Sequence, residues 1–280
     1  MTPLELALAV FAVSVAAGVL GSLLGVGGGI ILVPILTLML HVDIRVAIGA
    51  SIISVIATSS GAAAAHVRER ITNLRVAMFL EVAATAGALS GAYFTGVIPV
   101  RLLYMLFALV IALSAWAMLR KRMPSRSGPA PADALADRLL LHGWYFDRAA
   151  GEDVAYRVSG SRISFALMYV AGMMSGLLGV GSGVLKVPAM DLAMRLPIKV
   201  STATSNFMIG VTAAATAGAY FARGQINPLI VGPVAAGMLL GAVGGSRLLG
   251  RARSSTIRRI FVALLVWVSF QMLLRGLGPG

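Results

Sequence analysis

The chain has 280 residues, 59% of them hydrophobic and 12% charged, with a mean hydropathy of +0.92. A water-soluble domain of this size has too little interior to hide that much apolar side chain, so composition excludes a soluble fold. The formal net charge of +13 sits in short segments between apolar runs, which excludes a nucleic-acid face and fits membrane topology instead, while zero cysteines exclude disulfides and thiol chemistry.

The apolar runs Leu4–Leu24, Val46–Ala65, Val76–Val97 and Leu102–Leu119 each approach the roughly 20 residues that cross a hydrocarbon core of about 30 Å. Residues 1–22 lack a basic start and match an internal segment, so they are read as structure and not as a leader. The stretch Leu4–Leu40 would be roughly 55 Å long as helix, too long for one span and short for two. Gly25, Gly27, Gly28 and Gly29 give it a place to turn. The expected form is a hairpin: one helix in, a glycine apex, a shorter helix back.

Three ordinary spans follow. Residues 120–162 are the polar stretch, opening RKRMPSRSGPAPA as a basic, Pro/Ser-rich linker. Trp144–Asp147 and Val154–Val158, around AAGED, predict a small β-hairpin. Ile163–Leu196 then repeats the broken-hairpin pattern around Gly181–Gly183.

The second half copies the first at an offset of 154 residues. LLGVGGGIILVP (Leu23–Pro34) falls on LLGVGSGVLKVP (Leu177–Pro188), with Gly25 on Gly179, Gly27 on Gly181, Gly29 on Gly183 and Pro34 on Pro188. Without a gap, Ser51 falls on Ser205, Thr58 on Thr212, Asn73 on Asn227, Gly87 on Gly241 and Gly91 on Gly245. Internal repeats of this kind build many secondary transporters. The division is residues 1–120 as membrane repeat 1, 121–158 as a linker with the β-hairpin, and 159–280 as membrane repeat 2.

A hairpin returns to its starting side and three spans do not, so the second copy is inverted. Inversion gathers the basic residues of 68–75, 120–162, 195–199 and 247–259 on one side and leaves Arg45, Arg101, Arg223 and Arg275 on the other. Parallel copies would erase that bias. The positive-inside rule therefore favours inversion, with both termini outside and the central loop cytoplasmic. The fold expected is an all-α membrane protein of two inverted repeats, each a Gly-broken helical hairpin plus three transmembrane helices, roughly 8–10 membrane helices in all, with a small cytoplasmic loop insert.

The glycine phrase is neither a Rossmann nor a Walker loop, because its flanks are membrane helices and no Gly-Lys-Ser/Thr is present. For Gly87, Gly91, Gly237, Gly241, Gly244 and Gly245, close helix packing is the favoured reading. Paired glycine breaks in two halves instead point to a transport site, since they end helix N-termini inside the membrane, where free amides and the helix dipole attract an anion. An anion would sit between Gly27, Gly28 and Gly29 of one apex and Gly181, Ser182 and Gly183 of the other.

The doubled LGVGGG…VP phrase resembles the TauE/SafE sulfite exporter family of membrane transporters. AIGASIIS (Ala47–Ser54) and TATSNFM (Thr202–Met208) are similar to the small-and-hydroxyl stretch that follows in each half of that family. The resemblance covers nearly all of both repeats and leaves out residues 121–158. It implies transport of sulfite, sulfonates or other small sulfur-containing anions. Ala50 stands where the family commonly has Thr, and Lys186 interrupts the apolar run after the second phrase.

Lys186 is the leading candidate. An ammonium within a span usually faces a cavity or a partner, so it neutralises the anion, with snorkelling to the surface or a permanent pair with Glu81 or Asp191 as the alternatives. Glu81 and Asp191 are the candidate proton-coupling groups, with a structural ion pair or a boundary residue as the alternative. Ser51, Thr202, Ser205 and Asn206 are candidate hydrogen-bond donors to an oxyanion; Ser205 shares a helix face with Ser201, and Asn206 with Thr202. Ser54 and Ser201 are expected to bond their own backbone. Scattered His41, His66 and His142 make no metal site, and no nucleophile set suggests an enzyme or a cofactor. The function expected is a secondary transporter of small sulfur-containing anions in a bacterial inner membrane, working by alternating access with proton coupling as an option. A membrane-embedded enzyme, an anion channel and a membrane assembly factor are the alternatives.

Overall fold

The computed structural model describes residues 3–24, 28–68, 71–119, 132–147, 151–179, 183–249 and 254–277. Almost all of them are helical. The first half contains α1 (Pro3–Leu24), α2 (Gly29–Leu38), α3 (Ile44–Arg68), α4 (Leu74–Thr95) and α5 (Val100–Leu119). A short helix α6 (Ala134–Arg138) and strands β1 (Gly143–Asp147) and β2 (Glu152–Tyr156) follow. The second half contains α7 (Ser161–Leu178), α8 (Gly183–Met194), α9 (Ile198–Ala222), α10 (Pro228–Leu249) and α11 (Ser254–Leu277).

The 154-residue offset carries over into the element boundaries. It takes Ile44–Arg68 onto Ile198–Ala222 and Leu74–Thr95 onto Pro228–Leu249. Asn73 and Asn227, which anchor the register of the repeat, are both helix caps. Asn73 accepts from the Val76 amide at 3.0 Å and Asn227 from the Leu229 amide at 3.0 Å. Each supplies a side-chain acceptor to an amide that the first helical turn leaves unpaired. Leu74–Thr95 and Ser161–Leu178 are long and apolar enough to cross a membrane.

Helices of one half pack chiefly on helices of the other: α1 on α10, α4 on α7, α3 on α9 and α5 on α11. Glycine makes the first two contacts possible. Gly18 lies against Met238 and Gly241, and Gly237 against Phe11 and Ser14. Gly87 lies against Tyr169, Gly91 against Met173 and Leu177, Gly172 against the Ala84 carbonyl, and Gly176 against the Ala88 carbonyl. These backbones approach so closely that any Cβ would overlap the facing chain, as in membrane helix pairs built on small residues. The packing expected of Gly87, Gly91, Gly237 and Gly241 is therefore present. Gly244 faces open space instead, so close packing does not explain it. The contacts advance together along α4 and α7, which run parallel, as do α1 and α10. Between α5 and α11 they run the other way: Ser269 Oγ donates to the Ala108 carbonyl at 2.8 Å, while Gly276 meets Arg101 and Met105.

The segment between the halves docks at one end of the bundle. β1 and β2 pair antiparallel, with Tyr145 opposite Val154. Asn73 Nδ2 donates to the Leu141 carbonyl at 2.8 Å and to Tyr156 Oη at 2.9 Å, and Arg75 donates to the Leu140 carbonyl at 3.1 Å. Leu141, Tyr145 and Val158 join Leu80, Met168, Met194 and Leu196 in a second apolar core. Asp133 caps α6 through the Leu135 and Ala136 amides and accepts from the Ser161 amide at 2.7 Å, tying the segment to the start of α7. Burial alone would raise the pKa of Asp133; the bonds from Ser161, Ala136 and Leu135 outweigh it and hold the carboxyl below its ordinary value. At the opposite end, Arg45 donates to the Ile98 carbonyl, Arg223 to the Ala92 and Tyr93 carbonyls, and Arg275 to the Thr37 carbonyl.

Two outcomes are expected. Gly172→Val forces a side chain into the Ala84 carbonyl and destabilises the fold by about 1–3 kcal/mol, seen as a lower melting temperature in detergent, whereas Gly244→Ala leaves it unchanged. Asp133→Ala removes a helix cap worth about 1 kcal/mol and speeds hydrogen exchange at the Leu135, Ala136 and Ser161 amides. In the wild type that protection is full above the unfolded-state pKa of the aspartate and is lost as pH falls through its depressed folded value.

Candidate functional site

The glycine breaks leave two short helices. α2 has 10 residues and α8 has 12, roughly 15 and 18 Å at 1.5 Å per residue, about half a bilayer core. Pro34 and Pro188 sit at matching places inside them. At the start of α2, the Ile31 and Leu32 amides both bond the Gly28 carbonyl, at 3.1 and 3.0 Å. The Gly29 and Ile30 amides thus precede the first internal bond of the helix.

The structure brings the two glycine phrases together. Gly29 is buried with Ser51 Oγ and the Gly179 carbonyl so close that a Cβ would lie 2.5 and 2.9 Å from them. Ser51 Oγ donates to that Gly179 carbonyl at 2.7 Å. Gly179 closes α7 with φ +63, a left-handed conformation that suits glycine. So α2 and α3 of the first half hold the end of α7. In the mirrored position, Ser205 Oγ lies near Gly183, 3.7 Å from where a Cβ would be. Ser205 is 1% exposed, and among the described residues its hydroxyl has no hydrogen-bond partner. Gly28 is buried against Ala17 and Met238. Gly27, Gly181 and Ser182 lie outside the described residues. Thr202 and Asn206 are half-buried on α9, and Ser54 and Ser201 bond backbone carbonyls, at Ser51 and Leu196.

Lys186 is one turn into α8 and 0% exposed. Its Nζ donates to Thr212 Oγ1 at 2.6 Å. Thr212 Oγ1 in turn lies 2.7 Å from Glu81 Oε1 and 2.8 Å from the Met208 carbonyl, and its one hydrogen serves either acceptor. Thr85 Oγ1 also donates to Glu81 Oε1, at 2.8 Å. Glu81 Oε2 is buried and has no hydrogen-bond partner among the described residues. A cation on α8 and a carboxyl on α4 thus meet through a hydroxyl on α9. Asp191, half-buried further along α8, takes no part in these bonds.

Two residues that complete this cluster, Thr212 and Thr85, were not among the expected site residues. Thr212 stands out in the sequence only as the repeat partner of Thr58; its partners are 26 and 131 residues away. At the matching place in the other half stand Leu32, Thr58 and Ala235, so the polar cluster occurs once. Among the described residues no group of His, Cys, Asp and Glu could hold a metal ion.

Comparison with known proteins agrees with this architecture. Residues 10–272 match the model of the family described as sulfite exporter TauE/SafE. The chain is 26% identical over 268 residues to the probable membrane transporter protein YunE of Bacillus subtilis, covering 93% of this chain and 95% of that one. It is 24% identical to the probable membrane transporter protein YdhB of the same organism, over 82% of this chain and 85% of that one. It is 27% identical to a probable membrane transporter protein of Xylella fastidiosa, over 90% and 89% of the two chains. No solved structure matches it. A family match across both halves, on a fold of long apolar helices broken at two glycine phrases, makes this chain a membrane transporter belonging to the sulfite exporter TauE/SafE family.

Proposed function

We propose that this transporter carries a small sulfur-containing anion, of the sulfite or organosulfonate kind, across a bacterial inner membrane by alternating access. The observation that carries this reading is the meeting of the two glycine phrases at Gly29, Ser51 and Gly179. Each phrase starts a half-length helix, and helix N-termini that end inside a membrane favour an anion. Ser205 offers a buried hydroxyl with no described partner beside the second phrase, and Lys186 offers the charge one turn away. Gly27, Gly28, Gly29, Gly181, Ser182 and Gly183 form the cradle in this reading. Ser205, Thr202 and Asn206 supply hydrogen bonds, Ser51 holds the second phrase through the Gly179 carbonyl, and Lys186 is the counter-charge. Glu81 is the proton carrier of a coupled cycle, and Asp191 is a second acidic group on the cytoplasmic side of it.

The halves, residues 1–120 and 159–280, are read as inverted copies joined by the segment 121–158. Support comes from α5 and α11, matched by the offset yet antiparallel. The end where the central segment docks carries Arg75, Arg138, Arg157, Arg162, Arg195 and Lys199, as expected of a cytoplasmic face.

Two experiments test this. Cysteines placed singly at Ala155 and Ala222 are expected to label from opposite sides of a sealed membrane, with Ala155 reached from the cytoplasm; same-side labelling sinks the inverted topology. In proteoliposomes, counterflow of sulfite or methanesulfonate is expected to saturate and to be competed by small sulfur anions. Lys186→Met is expected to lower apparent affinity about 10- to 100-fold, the range for losing a hydrogen bond to a charged group. Flux linear in concentration would identify a channel, and no flux for any of these anions would remove the substrate class.

A further inference from the structure

The buried cluster of Lys186, Thr212 and Glu81 is a small charge balance. With Lys186 as ammonium and Glu81 as carboxylate its net charge is zero. Lys186 is fully buried and Glu81 is 7% exposed, so any state with net charge is costly inside the membrane. The hydrogen bonds of the cluster join Lys186 and Glu81 through Thr212, and Asp191, five residues beyond Lys186 on α8, is outside those bonds. α8 brings Lys186, α9 brings the Thr212 hydroxyl, and α4 itself adds Thr85. α7, packed on α4, buries Ser164, Met168, Ala171 and Gly172 and no titratable side chain.

We propose that Glu81 is an internal competitor for the transported anion, released by one proton, so that a monoanion and a proton cross together with no net charge moved. This rests on the reading of the chain as an anion transporter with Lys186 as counter-charge. In the empty carrier, the Thr212 hydrogen points to Glu81 Oε1, its oxygen accepts from Lys186, and the carboxylate balances the ammonium through it. A proton from water then adds to Glu81 Oε2, the oxygen with no described partner. The neutral carboxyl no longer compensates Lys186, and the Thr212 hydrogen turns to the Met208 carbonyl 2.8 Å away. The cluster now stands at one positive charge, which the arriving anion cancels.

Two forms are neutral: empty with Glu81 ionised, and loaded with Glu81 protonated. A proton without an anion leaves one positive charge, and an anion without a proton leaves one negative charge. Both half-loaded forms are penalised by burial, and that penalty couples the two species. Thr212 is a positioning residue: it transmits the balance and touches neither the proton acceptor oxygen nor the anion.

The test uses methanesulfonate, a monoanion whose charge does not change across the working pH range, in proteoliposomes of the full chain. For the wild type, an inward proton gradient is expected to drive accumulation, and an imposed membrane potential is expected to change the initial rate by less than about twofold. Glu81→Gln fixes the protonated state. It is expected to lose the response to the proton gradient and to become driven by an inside-positive potential. If Glu81→Gln does not fold, Thr212→Val reads the same link: protons taken up per methanesulfonate fall well below one, and Thr212→Ser restores them. Wild-type uptake driven by the potential would overturn the proposal.

A second arm needs no ligand. Lys186→Met and Glu81→Gln are each expected to lower the melting temperature, and the double variant is expected to recover at least half of the summed loss. Additive losses with intact uptake would overturn the proposal alone. No uptake of any small sulfur anion by folded wild type would overturn the transporter reading and this proposal with it.

Discussion

The cost of one buried ammonium organises the middle of this molecule. Lys186 has no exposed surface, and a hydrocarbon surround offers it neither water nor counter-ion. Its charge is met by Glu81 on α4 through a hydroxyl on α9, and that geometry fixes how three helices stand relative to one another. The helix that carries Glu81 also packs closely on α7, where Gly87, Gly91, Gly172 and Gly176 admit backbone-to-backbone contact. Packing by small residues and the placement of charge are one problem here, solved together.

The glycine phrases answer a different constraint. Backbone that leaves a helix inside a membrane must find partners within the protein. The Gly179 carbonyl, at the end of α7, is such a group, and Ser51 from the other half satisfies it. The bond ties the end of α7 to α3. The matching serine near Gly183 has no partner among the described residues, so two sites related by the repeat differ in saturation. One of them is a structural joint and the other keeps free hydrogen-bonding capacity.

Much of the architecture was legible in the sequence because glycine, proline and asparagine act locally. The breaks at Gly25–Gly29 and Gly179–Gly183, the prolines at 34 and 188 and the caps at 73 and 227 each work within a turn or two of themselves. A fixed offset between them therefore survives into helix boundaries. The site was legible only in part. Lys186 and Glu81 announced themselves as charges inside apolar runs, and Ser54 and Ser201 behaved as hydroxyls that bond a nearby backbone carbonyl. Thr212 did not announce itself, because one threonine among many on α9 becomes special only through the rotation of that helix toward α4 and α8. Gly244 shows the same limit from the other side: composition favoured packing, and its helix face turned out open.

The pairing of α1 with α10 and of α4 with α7 bears on what half of this chain could be. In both contacts, one helix of a half lends its small-residue face to the other half, and the offset exchanges the two pairs. A lone half would therefore present two narrow, close-fitting grooves with nothing to fill them except another molecule of the same kind. A second copy of the same half would fill both grooves at once, since the offset places α10 on α4 and α7 on α1. Joining the copies in one chain through residues 120–162 makes that pairing permanent and lets the two copies diverge. Divergence is what allows a lysine at 186 where its counterpart keeps Leu32: a symmetric dimer would have to bury the charge twice.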